Sequence, residues 1–260
     1  MVQIIDTVRR HLGWCPMTAA VQNSTQEQNT SSKPVSDEDP GPVERRALLY
    51  VRLAWFVIGL SWLITLAFLP YLPETIPVHW NIFGEADEFA TGLFGAFYLP
   101  VILTVTAIIL MKLPRFDQMR RSIDRVRDIY NIMIFSIASL MLAMQVMVLL
   151  TSSGVDLPVA IILPMMMGFL FIIIGSLLPY IGRNTTMGIR LPWTIRDEKV
   201  WEMTHENGGP LFVIAGVLVV LGSPVAGIWA MSLMEVIVLG TILYISIWSY
   251  RLSKSGTPGM

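Results

Sequence analysis

Long apolar runs alternate with short polar stretches along this chain, and the alternation predicts six membrane-crossing helices. A bilayer core takes about 20 mostly apolar residues per helix. The candidate spans are residues 48–69, 93–110, 129–150, 159–180, 210–227 and 229–250. The fifth is the least regular. Its apolar part, residues 210–221, is about 18 Å long at helical rise, and Gly222, Ser223 and Pro224 interrupt it. A short helix, a kinked helix and a re-entrant hairpin all fit it.

Composition supports a membrane protein. Of 260 residues, 54% are hydrophobic and only 14% charged, where a soluble domain carries roughly a quarter charged. The net charge of −1 points to no partner, but the placement of charge is informative. Lys and Arg occur in four places: six up to Arg52, six in residues 112–127, four in residues 183–199, and Arg251 with Lys254 near the C-terminus; these are all 18 in the chain. The connectors between them, residues 70–92, 151–158 and 222–230, hold none. This is a complete positive-inside pattern. It predicts both termini in the cytoplasm and an even number of spans. The single cysteine, Cys15, excludes an intramolecular disulfide. No cleavable signal peptide is expected, because Arg9, Arg10 and His11 interrupt residues 1–16.

The N-terminal region divides in two. Ile4, Ile5, Val8 and Leu12 recur at helical spacing beside Arg9 and Arg10, as in an amphipathic helix on the membrane surface with Trp14 at headgroup depth; a frayed terminus fits as well. Residues 17–44 are polar and read as a disordered cytoplasmic tail. The basic connector 112–128 places Asp117 and Arg121 at i,i+4 spacing, and likewise Asp124 and Asp128. Its arginines set topology and meet anionic headgroups. Nothing near it resembles a nucleic-acid reading module.

Two polar segments carry candidate sites. The first, residues 69–92, is rigid rather than helical, with three prolines and two glycines. It holds His79 among Glu74, Glu85, Asp87 and Glu88 and has no cation. An ordered cap with Trp80 and Phe83 at the interface is one reading. A docking surface for a cationic extracellular peptide is another. Divalent-metal binding is a third, although no ligand spacing of a metal site is present. The ligand-facing residues are His79, Trp80, Asn81, Glu85, Asp87 and Glu88.

The second segment, residues 182–209, is too long and too polar for a mere connector. Thr194 with Asp197 resembles a helix start, and Gly208 with Gly209 resembles a helix end before Pro210. On that helix Glu202, His205 and Glu206 invite a metal or catalytic reading, which usually needs a second such set; the bland alternative is an interfacial helix with Trp201 half buried. Arg190 with Trp193 suits a cation–π contact or a docking patch. Within the spans, Gln145 and Glu235 are the notable polar residues, and an intramembrane carboxylate is a candidate ligand or proton group. No phosphate-binding loop or hydrolase motif is present.

Both segments resemble the SdpI family of membrane proteins. Leu72, Pro73, Ile76, Pro77, His79, Asn81, Gly84 and Asp87 fit the family's small N-terminal domain of unknown function. Asn184, Gly188, Ile189, Arg190, Pro192, Trp193, Thr194, Val200, Trp201, His205, Gly208 and Gly209 fit its C-terminal motif. Trp80 in the first segment and Thr185 in the second are mild departures. The likeness covers about residues 48–250. It implies immunity to a secreted peptide toxin and, in the best-known member, sequestration of a cytoplasmic repressor.

The expected protein is thus all-α and polytopic: a six-helix transmembrane bundle in the plasma membrane. Residues 45–112 form the first two spans with their external connector, and residues 113–260 the SdpI-like region. The expected role is immunity or signal relay, with no catalytic residue, cofactor or metal and no direct nucleic-acid binding. Its partners would be the lipid bilayer, an extracellular peptide toxin and a cytoplasmic transcriptional repressor. Asn184, Gly188, Arg190, Pro192, Trp193, Trp201 and His205 are the expected cytoplasmic partner surface. A small-molecule or lipid transporter, suggested by Pro100, Pro164 and Pro179 breaking the spans, is the first alternative. A metalloenzyme using His205 with Glu202 or Glu206 is the second.

Overall fold

A computed structural model describes residues 42–116 and 126–255. The expectations for residues 1–16, for most of residues 17–44 and for the pairs involving Asp117, Arg121 and Asp124 lie outside the described residues. Among the described residues, six long helices and one short one follow in order: α1 (Pro42–Phe68), α2 (Gly92–Lys112), α3 (Arg127–Ser152), α4 (Val159–Leu177), the short α5 (Pro192–Arg196), α6 (Glu198–Ala226) and α7 (Ala230–Lys254). The apolar runs form these helices because hydrocarbon leaves backbone N–H and C=O groups no partner but one another. Among the described residues, five helical stretches are long and apolar enough to cross a membrane; the last, Glu198–Lys254, comprises α6 and α7, separated by a turn at Gly227 with φ 57°.

The bundle is all-α with one addition. The connector between α1 and α2 folds into an antiparallel hairpin, β1 (Thr75–Trp80) and β2 (Ala86–Thr91). Prolines kept this segment from reading as helix, yet Pro77 sits inside β1 opposite Phe89. A two-stranded sheet has an edge where the missing N–H costs nothing. The register slips on both sides of His79, the mark of a bulge.

The fifth span differs most from expectation. α6 runs unbroken for 29 residues through Gly208, Gly209 and Pro210, about 43 Å at helical rise. Neither glycine ends the helix: Gly209 serves its packing against α4, and Gly208 leaves room for the Ile189 side chain. A Cβ on Gly209 would lie 2.7 Å from the Gly175 carbonyl, and one on Gly175 lies 2.7 Å from the Gly209 carbonyl. One turn pair further on, Gly168 and Gly216 repeat the relation. The two pairs run in opposite sequence directions, so α4 and α6 are antiparallel and in near backbone contact. Small residues at such crossings let membrane helices approach closely.

The prolines likewise do not break the spans. Pro100 and Pro164 are buried inside continuous helices α2 and α4, and Pro179 lies in the 3-10 turn that follows α4. No half-helix is produced, and the motivation for a transporter falls away. α1 and α3 are joined by a polar cluster. Gln145 donates to the Ser61 carbonyl at 2.9 Å and to Thr65 Oγ1, while Ser61 Oγ donates to Gln145 Oε1. All three residues are buried, so the amide fastens two helices. Glu235 is exposed in the second turn of α7.

Candidate functional site

The hairpin and the segment between α4 and α6 lie at opposite ends of the bundle. At the hairpin, Asn81 builds the turn. Its Oδ1 accepts from the amides of Phe83 (2.9 Å) and Glu85 (3.1 Å), and its Nδ2 donates to the Glu85 carboxylate at 3.1 Å. Gly84 follows with φ 76°, and its α-carbon faces Ala160 with no room for a side chain. Phe83 meets Trp229 edge-on at 5.5 Å. The tip thus rests on the ends of α4 and of the α6–α7 turn. On the opposite side of the hairpin, Ile76 is fully buried against Ala96 and Val148. Trp80 packs between that cluster and the one formed by Met147, Val159 and Met231.

The remaining polar side chains face solvent. His79 Nδ1 is 2.6 Å from Asp87 Oδ1, and Glu88 stands opposite His79 in the register. The hydrogen bond to Asp87, then its charge, raises the His79 pKa above 6.5. Glu85, Asp87 and Glu88 are exposed. Of the six residues expected to face a ligand, four therefore present polar groups at the surface, while Asn81 is engaged in the turn and Trp80 in packing.

The segment after α4 uses its residues differently. Asn184 is fully buried; its Oδ1 accepts from the amides of Thr186 (2.8 Å) and Met187 (2.7 Å), and its Nδ2 donates to the Gly182 carbonyl. Trp201 is fully buried rather than half buried at an interface, and its indole N–H donates to the Ile181 carbonyl at 2.8 Å. The His205 ring stacks on Trp201 with centroids 4.1 Å apart. Gly188, at φ 105°, lies against both rings, and a Cβ there would collide with His205 Nε2. Backbone and aromatic core meet here with no space left between them.

His205 cannot serve as the metal ligand or base that its spacing suggested. Nδ1 lies 2.8 Å from the Trp201 carbonyl, so it carries the proton. Nε2 then accepts from the Ile189 amide at 2.9 Å. Both nitrogens are occupied and the ring is neutral. Burial lowers its pKa to about 4, against a smaller opposing effect of the Trp201 carbonyl. This part of α6 lies before the apolar stretch that begins at Pro210. Glu202 and Glu206 are exposed and turn away from the buried ring.

Helix starts also differ from expectation. Thr194 is buried and organises α5: its Oγ1 accepts from the Leu191 amide at 2.9 Å and donates to the Ile189 carbonyl at 2.7 Å. Asp197 is not in the third position of the long helix. It is the N-cap of α6, accepting from the Val200 amide at 3.1 Å, because the chain turns extended at Asp197 and divides α5 from α6. Arg183 spans that break, donating to the Ile195 and Arg196 carbonyls and lying 3.8 Å from Glu198. Trp193 donates to Ser249 Oγ at 2.9 Å and its ring meets Tyr250 edge-on, which docks α5 on α7. Of the seven residues expected to form a partner surface, Arg190 and Pro192 are exposed and Gly188 and Trp193 partly so; Asn184, Trp201 and His205 are interior.

Residues 180–249 match the SdpI/YfhL protein family. Residues 56–104 match a domain of unknown function, DUF1648. The immunity protein SdpI of Bacillus subtilis (strain 168) is 25% identical over 198 residues, covering 76% of this chain and 93% of that protein. No solved structure matches.

Proposed function

We propose that this SdpI-family membrane protein confers immunity, with the hairpin as its outward ligand face and the segment after α4 as its cytoplasmic face. The observation that carries the reading is structural: both motif segments are ordered and sit at opposite ends of one bundle, joined by the glycine-paired helices α4 and α6. The placement of every Lys and Arg supports the orientation, because cytoplasmic connectors retain cations. Both termini are then cytoplasmic. Likeness to an immunity protein over 93% of that protein's length supports the role.

On the outward side, Glu85, Asp87 and Glu88 attract a cationic peptide toxin. On the cytoplasmic side, the surface available to a repressor narrows to Arg190, Pro192 and Trp193. No step of catalysis enters this reading.

Protection of a sensitive cell tests it. Cells expressing the chain and challenged with toxin-containing medium survive. The double variant Asp87→Asn/Glu88→Gln accumulates in the membrane and loses protection. Crosslinking from native membranes tests the second face: a soluble partner captured by the wild type is lost with Arg190→Ala/Trp193→Ala. Full protection by the hairpin variant removes the ligand face, and an unchanged partner set removes the output face.

A further inference from the structure

Beneath the hairpin lies a cavity of about 230 Å³ between β1, α2, α3 and α4. Leu99, Met144, Met147, Val148 and Leu163 form its apolar wall. Protein interiors hold few voids larger than a water molecule, and an apolar void stays dry or takes an apolar guest. Two methionines in the wall suit a guest of variable shape, because an unbranched thioether repacks easily.

The rim has a different character. His79 lines the cavity yet its side chain is 58% exposed, so it stands between the cavity and solvent. Asp87 is bonded to it and Glu88 faces it in the register. Residues 69–92 contain four carboxylates and no Lys or Arg. An anionic phospholipid would bring its net negative headgroup against these carboxylates, which opposes its entry. A cation is favoured at the same place. Each strand of the two-stranded sheet also keeps one edge without a partner strand among the described residues, a place where an extended peptide finds backbone hydrogen bonds.

We infer that this cavity is a side-chain pocket for a peptide, taking one aromatic or branched aliphatic side chain while a neighbouring cationic side chain lies against Asp87 and Glu88. The inference rests on the reading of the hairpin as the ligand face and adds the pocket and the chemistry it selects.

Two short peptides of equal size and opposite charge test it: N-acetyl-phenylalanyl-lysinamide and N-acetyl-phenylalanyl-glutamic acid amide. Each is titrated against the full chain in phosphatidylcholine nanodiscs, with saturation-transfer NMR as readout. The lysine peptide binds saturably, and the glutamate peptide at least tenfold more weakly. Val148→Phe and Leu163→Phe fill the cavity from different helices, and either one, retaining the wild-type melting temperature, abolishes saturable binding. Glu88→Gln weakens it severalfold. Equal affinity of the two peptides on the wild type overturns the inference without recourse to any variant, as does persistent binding in a folded cavity-filled protein. A tightly held phospholipid found by mass spectrometry, with no peptide binding, also overturns it. Failure here with protection still lost in Asp87→Asn/Glu88→Gln leaves the outward ligand face standing. Peptide binding with protection unaffected by that variant removes the immunity reading instead.

Discussion

The two motif segments cap the same bundle in opposite ways. In the hairpin, backbone pairing and the Asn81 turn do the folding, and His79, Glu85, Asp87 and Glu88 remain at the surface. In the segment after α4, side chains do the folding. Asn184, Thr194, Trp201 and His205 each spend their polar atoms on nearby backbone groups. A polar group withdrawn from water must find a partner or cost stability, and this segment supplies its own partners. Residues of functional type thus mark a surface in one place and an interior in the other. Burial and hydrogen-bond use separate the two cases; residue type does not.

The contrast breaks most readily at Trp201. Trp201→Ala removes a fully buried indole and lowers stability by about 3–5 kcal/mol, read as a fall in the unfolding midpoint in detergent; Asp87→Asn in the hairpin leaves that midpoint in place. Gly188→Ala follows, at about 1–3 kcal/mol, since its φ of 105° and the adjacent His205 ring both oppose a Cβ. An unaltered midpoint in either variant would mean that the segment does not depend on this core.

Two histidines sharpen the comparison through pH, with opposite signs. His205 has a lowered pKa, about 4 against an ordinary 6.5. Its neutral ring contributes stability that is present above the ordinary value and is lost as pH falls through about 4. Amide exchange in residues 182–209 accelerates over that acid range, and His205→Gln flattens the response. His79 has a raised pKa through Asp87. Its contribution is present below the ordinary value and disappears as pH rises through the folded pKa. The smallest expected effect is its NMR titration: the midpoint lies above 6.5 and returns toward it in Asp87→Asn. A midpoint insensitive to that substitution would remove the pair.

Much of the architecture was legible in the chain. Apolar run length located five of the long helices and the apolar part of α6, because a bilayer requires about the same number of residues from each, while the continuity of α6 back to its start at Glu198 was not legible. Cation placement indicated the orientation proposed for them. The rigid, non-helical character of residues 69–92 was legible from their prolines and glycines, while the strand pairing was not, since Pro77 argues against a strand until an edge position is known.

Local composition settles which stretches are apolar enough to enter hydrocarbon and which are too polar. Whatever depends on a distant neighbour emerges only in the folded bundle. Gly208 and Gly209 read locally as a helix end, but Gly209 lies against the backbone of α4 and Gly208 against Ile189, and the helix continues. Glu202, His205 and Glu206 read locally as a ligand set, but the Ile189 amide and Trp201 carbonyl claim both imidazole nitrogens. The cavity beneath the hairpin is formed by β1 and three helices, so no single stretch encodes it. Local propensity is written residue by residue, whereas packing and hydrogen-bond assignment exist only once separate segments share a place.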